Sequence, residues 1–326
     1  MALDAPTRTC WPRKVKKKKR AGRQPSHPFF FQPLPPLSHA QPSLSHFSAP
    51  PPSLPPSLSL SLRPGLNILL ISRTQSKLAT AAAEIAAAHG VQTDTLAIDF
   101  GATLPSSWVP LVASAVGPLD VGVLVNNVGL SYDHAEYYDA LDDETVNALV
   151  AINVQATNHM TKAVLPGMKA RRRGAVVCIG SAAATVAPSG PLYAVYAGTK
   201  AYVDMFCRSL DLECSRWGVS VQNQAPAYVA TKMSKIRKPT LDAPSPAVWA
   251  AAAARHIGYE PTSVPYWYHG AMWGAVGGLP LCVVNAYLLS FHEWLRARYY
   301  KKVEREARGA GGGGGGGAAS KGKKAR

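Results

Sequence analysis

The feature that most constrains this chain is a regular alternation of short apolar strand segments and helical segments between Leu66 and Gln224. Leu66-Asn67-Ile68-Leu69-Leu70-Ile71-Ser72 is a mostly apolar run suited to a strand buried on both faces. Ser76 to His89 predicts a helix that has Thr74 and Ser76 as caps and stops at Gly90. Gln92 to Phe100 reads as a strand carrying Asp99 at its end, Pro105 to Val116 as a helix, and Val121 to Val125 as a strand running into Asn126-Asn127-Val128-Gly129. The rhythm continues with a long helix over Glu144 to Arg171, a strand Ala175 to Ile179, a helix bearing Tyr196 and Lys200, and a strand Val219 to Gln224 closed by Pro226. Alternation of this kind implies an α/β fold with a doubly wound parallel sheet. Right-handed crossovers then bring the C-terminal ends of the strands to one edge, where such sheets bind ligands.

Carbonyl chemistry is suggested by the stretch Cys178 to Arg216 on that edge. Tyr196 and Lys200 are four residues apart, so on a helix they share a face, one turn apart. A phenol ordinarily titrates near pH 10, and an ammonium held beside it lowers that value, making the phenol a proton donor and acceptor near neutral pH. Ser181, just past a strand, is placed to hold a substrate carbonyl against the tyrosine. One Tyr-x-x-x-Lys is expected by chance among 13 tyrosines, so the weight rests on the surrounding pattern.

The net charge of +16 resembles a nucleic-acid signal until it is located. Met1 to Gln24 carries nine Lys/Arg against one Asp, Glu293 to Arg326 carries ten against three acids, and the intervening body is nearly neutral. The basicity belongs to the two tails, and no nucleic-acid partner is expected. Five cysteines without C-x-x-C spacing argue against a zinc site or a disulfide framework, and reduced thiols fit a catalytic domain facing the cytosol. Residues 1–63 combine a basic run, Arg13 to Arg20, with Pro/Ser/Leu low complexity, a composition expected to be disordered. No apolar stretch follows the basic run, so it is not a secretory signal peptide.

Taken together, these residues resemble the short-chain dehydrogenase/reductase family over residues 64–262. Asn126-Asn127-Val128-Gly129 resembles the family's N-N-A-G turn, Asn153 its helix asparagine, Ser181 its serine, and Tyr196 with Lys200 its dyad. Asp99 resembles the adenine-contacting aspartate, and Thr231 the threonine at the nicotinamide end. The stretches LVNNVGLSY, PLYAVYAGTKAYVD, YVATKMSKIRKPT and IGYEPTSVPYW resemble the branch that reduces very-long-chain 3-oxoacyl-CoA, a relative of the steroid 17-beta-dehydrogenases. The resemblance implies a Rossmann-type fold, NADPH as cofactor, an acyl-CoA substrate and other elongase components as partners. It implies Tyr196 as proton donor, Ser181 orienting the carbonyl, Lys200 on the nicotinamide ribose, and Asn153 holding a water that relays protons to Lys200. Asn126, Asn127 and Gly129 would line the cofactor.

The pattern departs from the family in two places. Ser181 precedes Tyr196 by fifteen residues where many members have thirteen, a difference that a loop over Ala184 to Pro191 can absorb. Ahead of the Leu66 strand, the first strand and the T-G-x-x-x-G-x-G turn whose backbone N–H groups cradle a pyrophosphate are absent from the sequence. That strand would be central, so its neighbours would be left with unpaired backbone. The expectation is a replaced N-terminus, the alternative a non-catalytic, membrane-tethered relic; a steroid-type dehydrogenase is the other functional alternative.

Arg73 ends the Leu66 strand where dinucleotide folds test the adenosine ribose, and an arginine there favours a 2′-phosphate. Ser245 to Ile257 reads as a substrate-side helix. From Pro261 to Phe291 no Asp, Glu, Lys or Arg occurs, and aromatic residues crowd one end. Residues 263–302 are therefore expected to be a hydrophobic, membrane-associated segment, embedded or re-entrant, with a cover over the acyl pocket as the alternative. Residues 303–326 read as a flexible basic tail that includes Gly311 to Gly317 and ends in Lys323-Lys324-Ala325-Arg326. That ending resembles a dilysine retrieval signal, and with it the expected location is the endoplasmic-reticulum membrane, catalytic domain toward the cytosol.

Overall fold

Five residues, Ile68–Ser72, form the first strand (β1) of the computed structural model, which describes residues 66–311, with side chains through Arg308. The basic arm, the Pro-rich segment, the glycine run and the dilysine ending named above lie outside the described residues, apart from Gly311 itself. Helix α1 (Gln75–His89) follows β1 and ends at Gly90, whose φ of 65° is the left-handed conformation glycine adopts without a Cβ penalty; its N–H donates to Ala86 O at 2.9 Å. Thr74 occupies the N-cap position but makes no side-chain cap, contrary to the expectation for Thr74 and Ser76. Strand β2 (Thr93–Ala97), helix α2 (Pro105–Val116) and strand β3 (Val123–Asn126) come next.

The long helix runs as α3 (Asp143–Val150), a π-helical turn (Ala151–Gln155) and α4 (Ala156–Arg171). Asp142 caps it, its carboxylate accepting from Thr145 N–H at 2.6 Å. Strand β4 (Gly174–Ile179), the short α5 (Ala182–Thr185), α6 (Ala194–Cys214), β5 (Val219–Gln224), α7 (Pro246–Arg255) and β6 (Thr262–Ser263) complete the α/β body. Two helices follow, α8 (Trp267–Gly277) and, after Pro280, α9 (Leu281–Gly311).

All strand pairings are parallel, as the alternation requires. They fall into two sheets, β1-β2 and β3-β4-β5-β6. Among the described residues no strand joins β1 to β3. This explains why β1 is only half-buried along its whole length, where a strand covered on both faces was expected, and why Val125 in β3 is 52% exposed. One apolar core nevertheless unites the two sheets: Leu69, Ile71 and Leu96 pack against the same cluster as Leu124, Val176 and Val221, with Trp108 of α2 at its centre, edge-on to Phe100 and His159. Burial of such residues contributes roughly 1.5–3 kcal/mol each.

Candidate active site

The C-terminal ends of β3, β4 and β5 open onto one edge, and the elements after them carry the polar side chains. Ser181 follows β4 in extended conformation and caps α5, its hydroxyl oxygen accepting from Ala183 N–H at 3.2 Å. The same hydroxyl lies on the side of the site that faces Tyr196 on α6 and acts on its phenol. Burial raises the Tyr196 pKa and the Ser181 contact draws it back. The phenol therefore stays protonated well past neutral pH, the state an acid needs.

Lys200 lies one turn further along α6 and is buried, with Nζ donating to the Ile179 carbonyl at 2.8 Å. Burial lowers its pKa to about 8, with Cys178 opposing that shift. The sequence suggested an ammonium beside the phenol and lowering its pKa. The ammonium is instead anchored to the end of β4, and the Tyr196 shift runs upward, because burial outweighs the lowering influence of Ser181.

Asn153 sits in the π turn, a departure from i→i−4 bonding that is frequent at functional sites. Its Oδ1 accepts from Leu130 N–H at 2.8 Å, and its Nδ2 donates to Leu130 O and to the Thr199 hydroxyl, both at 2.9 Å. Both amide hydrogens are thus committed to protein partners. The side chain pins the loop after β3 to α6.

The cofactor residues divide into two groups. Asn126 turns inward, Nδ2 donating to the Thr161 hydroxyl at 3.0 Å and to Cys178 Sγ at 3.4 Å; Asn127 is exposed at the edge. A Cβ on Gly129 would lie 3.4 Å from Lys200 Nζ and 3.5 Å from Asn153 Oδ1, so this backbone approaches the lysine as closely as a side chain would allow. Thr231 lies in the loop after β5, where its N–H donates to Ser234 Oγ at 3.1 Å. Arg73 is exposed at the end of β1, and Asp99 uses Oδ1 to accept from Gly101 and Ala102 N–H at 2.9 and 3.2 Å.

A dinucleotide would find a buried ammonium and a glycine cradle for its nicotinamide end, and an arginine for a 2′-phosphate. Between them, among the described residues, no glycine-rich strand-to-helix turn offers the converging N–H donors a pyrophosphate needs. The site fits the two ends of the cofactor and not its middle.

Residues that local spacing did not flag brace this edge. Asn223 of β5 is fully buried, Nδ2 donating to Asp204 on α6 at 2.6 Å and to the Thr185 hydroxyl at 3.3 Å. A Cβ on Gly180 would overlap Asn223 Oδ1, so the residue before Ser181 must be glycine. Asp204 also accepts from Thr262 at 2.9 Å and pairs with Arg208 at 2.7 Å. The only sequence signal for this brace is polarity inside an apolar strand, VSVQNQ.

A second set of contacts brings α9 across the same edge. Ser189 donates to Asn285 at 2.7 Å, His292 Nδ1 meets Pro191 O at 2.7 Å, Tyr137 donates to Glu293 at 3.0 Å, and buried Glu136 pairs with Arg296 at 2.6 Å and accepts from Tyr300. The Arg296 and Tyr300 hydrogen bonds, opposed by burial, bring the Glu136 pKa down to about 2. A carboxylate depressed in this way stabilises the fold above its unfolded value near 4.5, and that contribution fades as pH falls toward 2. Glu136→Gln should therefore lower the melting temperature at neutral pH and flatten the stability loss between pH 4.5 and 2, as read by thermal melts across pH. An unchanged acid limb would rule out the clamp.

Ser181, Tyr196 and buried Lys200 thus come together at the C-terminal edge of a parallel α/β sheet. The chain belongs to the short chain dehydrogenase family, whose members are NAD(P)-dependent oxidoreductases; residues 60–242 match it. It is 38% identical over 231 residues to a very-long-chain 3-oxoacyl-CoA reductase-like protein of Arabidopsis thaliana, covering 69% of this chain and 73% of that one. To the very-long-chain 3-oxoacyl-CoA reductase of Homo sapiens it is 35% identical over 243 residues, 74% and 76% of the two chains. A short-chain dehydrogenase from Sphingobium yanoikuyae, solved in complex with NADPH, has the same fold, with a TM-score of 0.56 at 24% identity over 68% of this chain and 85% of that one.

Proposed function

We propose that the chain is the catalytic body of an NADPH-dependent reductase that converts a very-long-chain 3-oxoacyl-CoA to the 3-hydroxyacyl-CoA. The observation that carries this reading is the convergence of Ser181 after β4 with Tyr196 and buried Lys200 of α6, whose Nζ reaches the Ile179 carbonyl at the end of the same strand. Identities of 35–39% to curated reductases of that substrate support the acyl-CoA assignment. The chemistry a bound nicotinamide supplies is hydride donation to the carbonyl carbon. Ser181 donates a hydrogen bond to the substrate carbonyl oxygen, Tyr196 passes its phenolic proton to that oxygen as charge develops, and Lys200 holds the ribose. Asn153 fixes the loop that faces them.

In this reading α9 closes the acyl side of the site through Asn285, His292, Glu293 and Arg296. Among the described residues no helix is long and apolar enough to cross a membrane. A location on the cytosolic face of the endoplasmic-reticulum membrane is supported by the uncharged run Pro261 to Phe291, by exposed Trp267, Leu281, Tyr287 and Trp294, and by Arg298, Lys301 and Lys302 after them.

The test is to supply a 3-oxoacyl-CoA of very long chain to the chain joined to a first strand and glycine turn ahead of Gly65, and to follow loss of NADPH absorbance. Turnover of a steroid ketone with none of the acyl-CoA would overturn the substrate assignment. Cofactor preference is tested at Arg73, whose replacement by Asp removes a partner of the 2′-phosphate and adds repulsion. Charge-assisted contacts of this kind are worth roughly 1.5–3 kcal/mol, so the NADPH/NADH ratio of kcat/KM should fall by one to two orders of magnitude. An unchanged ratio would exclude Arg73 from the phosphate site.

A further inference from the structure

We propose that the loop after β5 carries a phosphate-binding site for the nucleotide end of the acyl-CoA, formed by Lys232, Arg237 and Lys238. This rests on the acyl-CoA reading above and adds where the charged end of that substrate is held.

The loop is fixed at both ends and in its middle. Ala182 N–H donates to Pro226 O at 2.8 Å, so the loop leaves the sheet beside the residue that follows Ser181. Ala230 N–H donates to Pro244 O at 2.9 Å, which closes residues 230–244 into a compact surface loop. Inside it, the Ser234 hydroxyl donates to Val229 O at 2.6 Å and accepts from Thr231 N–H at 3.1 Å. Lys235 has a φ of 59°, a left-handed conformation uncommon for a lysine. Its Nζ donates to Asp133 O at 2.6 Å and to Asp133 Oδ1 at 3.1 Å, which ties the turn to the loop after β3.

Residues 230–244 hold four cations against one acid, Asp242, in a body whose charge is close to balanced. Lys235 is committed to Asp133. Lys232, Arg237 and Lys238 are exposed, and among the described residues none of them is in an ion pair. Cations on a turn that is held before any ligand arrives suit a compact polyanion, since little ordering is left for binding to impose. The diffuse charge of a bilayer requires no such fixed geometry.

The polarity of α9 sets the direction in which the substrate lies. Its first eleven residues, Leu281 to Phe291, carry no charge, and Leu281, Val283 and Tyr287 among them are exposed. Next comes His292, whose ring meets Tyr193 edge-on at 5.1 Å, three residues ahead of Tyr196. Seven residues further, about 10 Å along the helix, the Tyr299 ring lies 5.8 Å from Lys235 Nζ and so beside the basic loop. An acyl-CoA has the same order: an apolar chain, the reacting 3-oxo group, a pantetheine arm and a 3′-phosphorylated ADP. Laid along α9 with its ketone at Tyr196, it brings its phosphates to Arg237 and Lys238.

The test titrates the full chain, without NADPH, with CoA, 3′-dephospho-CoA and pantetheine by calorimetry. CoA should bind, dephospho-CoA more weakly, and pantetheine not measurably. Arg237→Glu combined with Lys238→Glu should weaken CoA at least about tenfold at an unchanged melting temperature, and Arg73→Asp should leave CoA binding as it was. In the chain joined to a first strand and glycine turn, the double variant should lower at least about tenfold the ratio of kcat/KM for a 3-oxoacyl-CoA to that for the matching N-acetylcysteamine thioester, which lacks the nucleotide. The proposal is overturned if CoA does not bind, if pantetheine binds as tightly, if the double variant keeps full CoA affinity, or if Arg73→Asp abolishes it. Loss of binding to phosphatidylserine vesicles with CoA affinity retained would make the loop a membrane contact and overturn it too. CoA binding by a chain that reduces neither thioester would uphold the phosphate site and refute the reductase reading.

Discussion

Tyr196→Phe should abolish ketone reduction while leaving NADPH affinity intact in a chain given a parallel first strand and glycine turn ahead of β1. The substitution removes one hydroxyl and keeps the ring that fills the space. The phenol is the group whose proton is held ready, because burial keeps it protonated at neutral pH. General acid catalysis is worth roughly 10²–10⁴-fold, and the loss should be of that size in single-turnover absorbance, with fluorescence titration reporting unchanged binding. Retention of more than about a tenth of the rate would remove Tyr196 from the proton path. Ser181→Ala should cost less, because the acid survives while its alignment is lost. Lys200→Ala should damage binding as well as turnover, since the buried ammonium is the cation the structure offers next to Gly129.

The 326-residue chain alone should not bind NADPH at micromolar concentration, whereas the same chain with a first strand and glycine turn joined ahead of Gly65 should. Pyrophosphate recognition in this kind of sheet rests on several backbone donors and a helix dipole at the first strand-to-helix turn. Three such hydrogen bonds to a charged group, at roughly 1.5–3 kcal/mol each, correspond to an affinity loss on the order of 10³-fold or more. Arg73 and Lys200 remain at the two ends of the site, so residual binding at high concentration is compatible with the argument. Calorimetric titration of both proteins decides it. Micromolar affinity in the unaltered chain would mean that the pyrophosphate finds its donors elsewhere.

Much of this site could be read from spacing because its parts are local. Ser181 follows a strand, Tyr196 and Lys200 share a helix face, and Asn126 to Gly129 end a strand, each a relation spanning a few residues. The segment Val219–Gln224 was legible to the residue, since apolar and polar boundaries coincide there. What was not legible depends on partners distant in sequence. The half-burial of β1 reflects an edge that no strand among the described residues covers, which no property of Ile68–Ser72 can announce. The anchoring of Lys200 on Ile179 spans 21 residues, and the Asn223–Asp204 brace links two elements with no shared pattern. The pairing of Glu136 with Arg296 spans 160 residues; both look like ordinary surface charges until α9 folds back. Thr199, 46 residues from Asn153, carries no local signal of that contact.

The π turn at Ala151–Gln155 gives the long helix a fixed residue count. An α-helix advances about 100° per residue, so one added residue shifts the phase of everything beyond it. Upstream, Leu149 points into the body, and downstream Ala156, Met160 and Val164 do the same. The extra residue lets both faces point inward while Asn153 is turned to Leu130 and Thr199 between them. A single deletion in this turn would restore regular bonding, yet it would swing either the asparagine or the downstream apolar face out of place. Substitution is therefore better tolerated here than a change of length, and the helix behaves as two rulers joined by a one-residue offset.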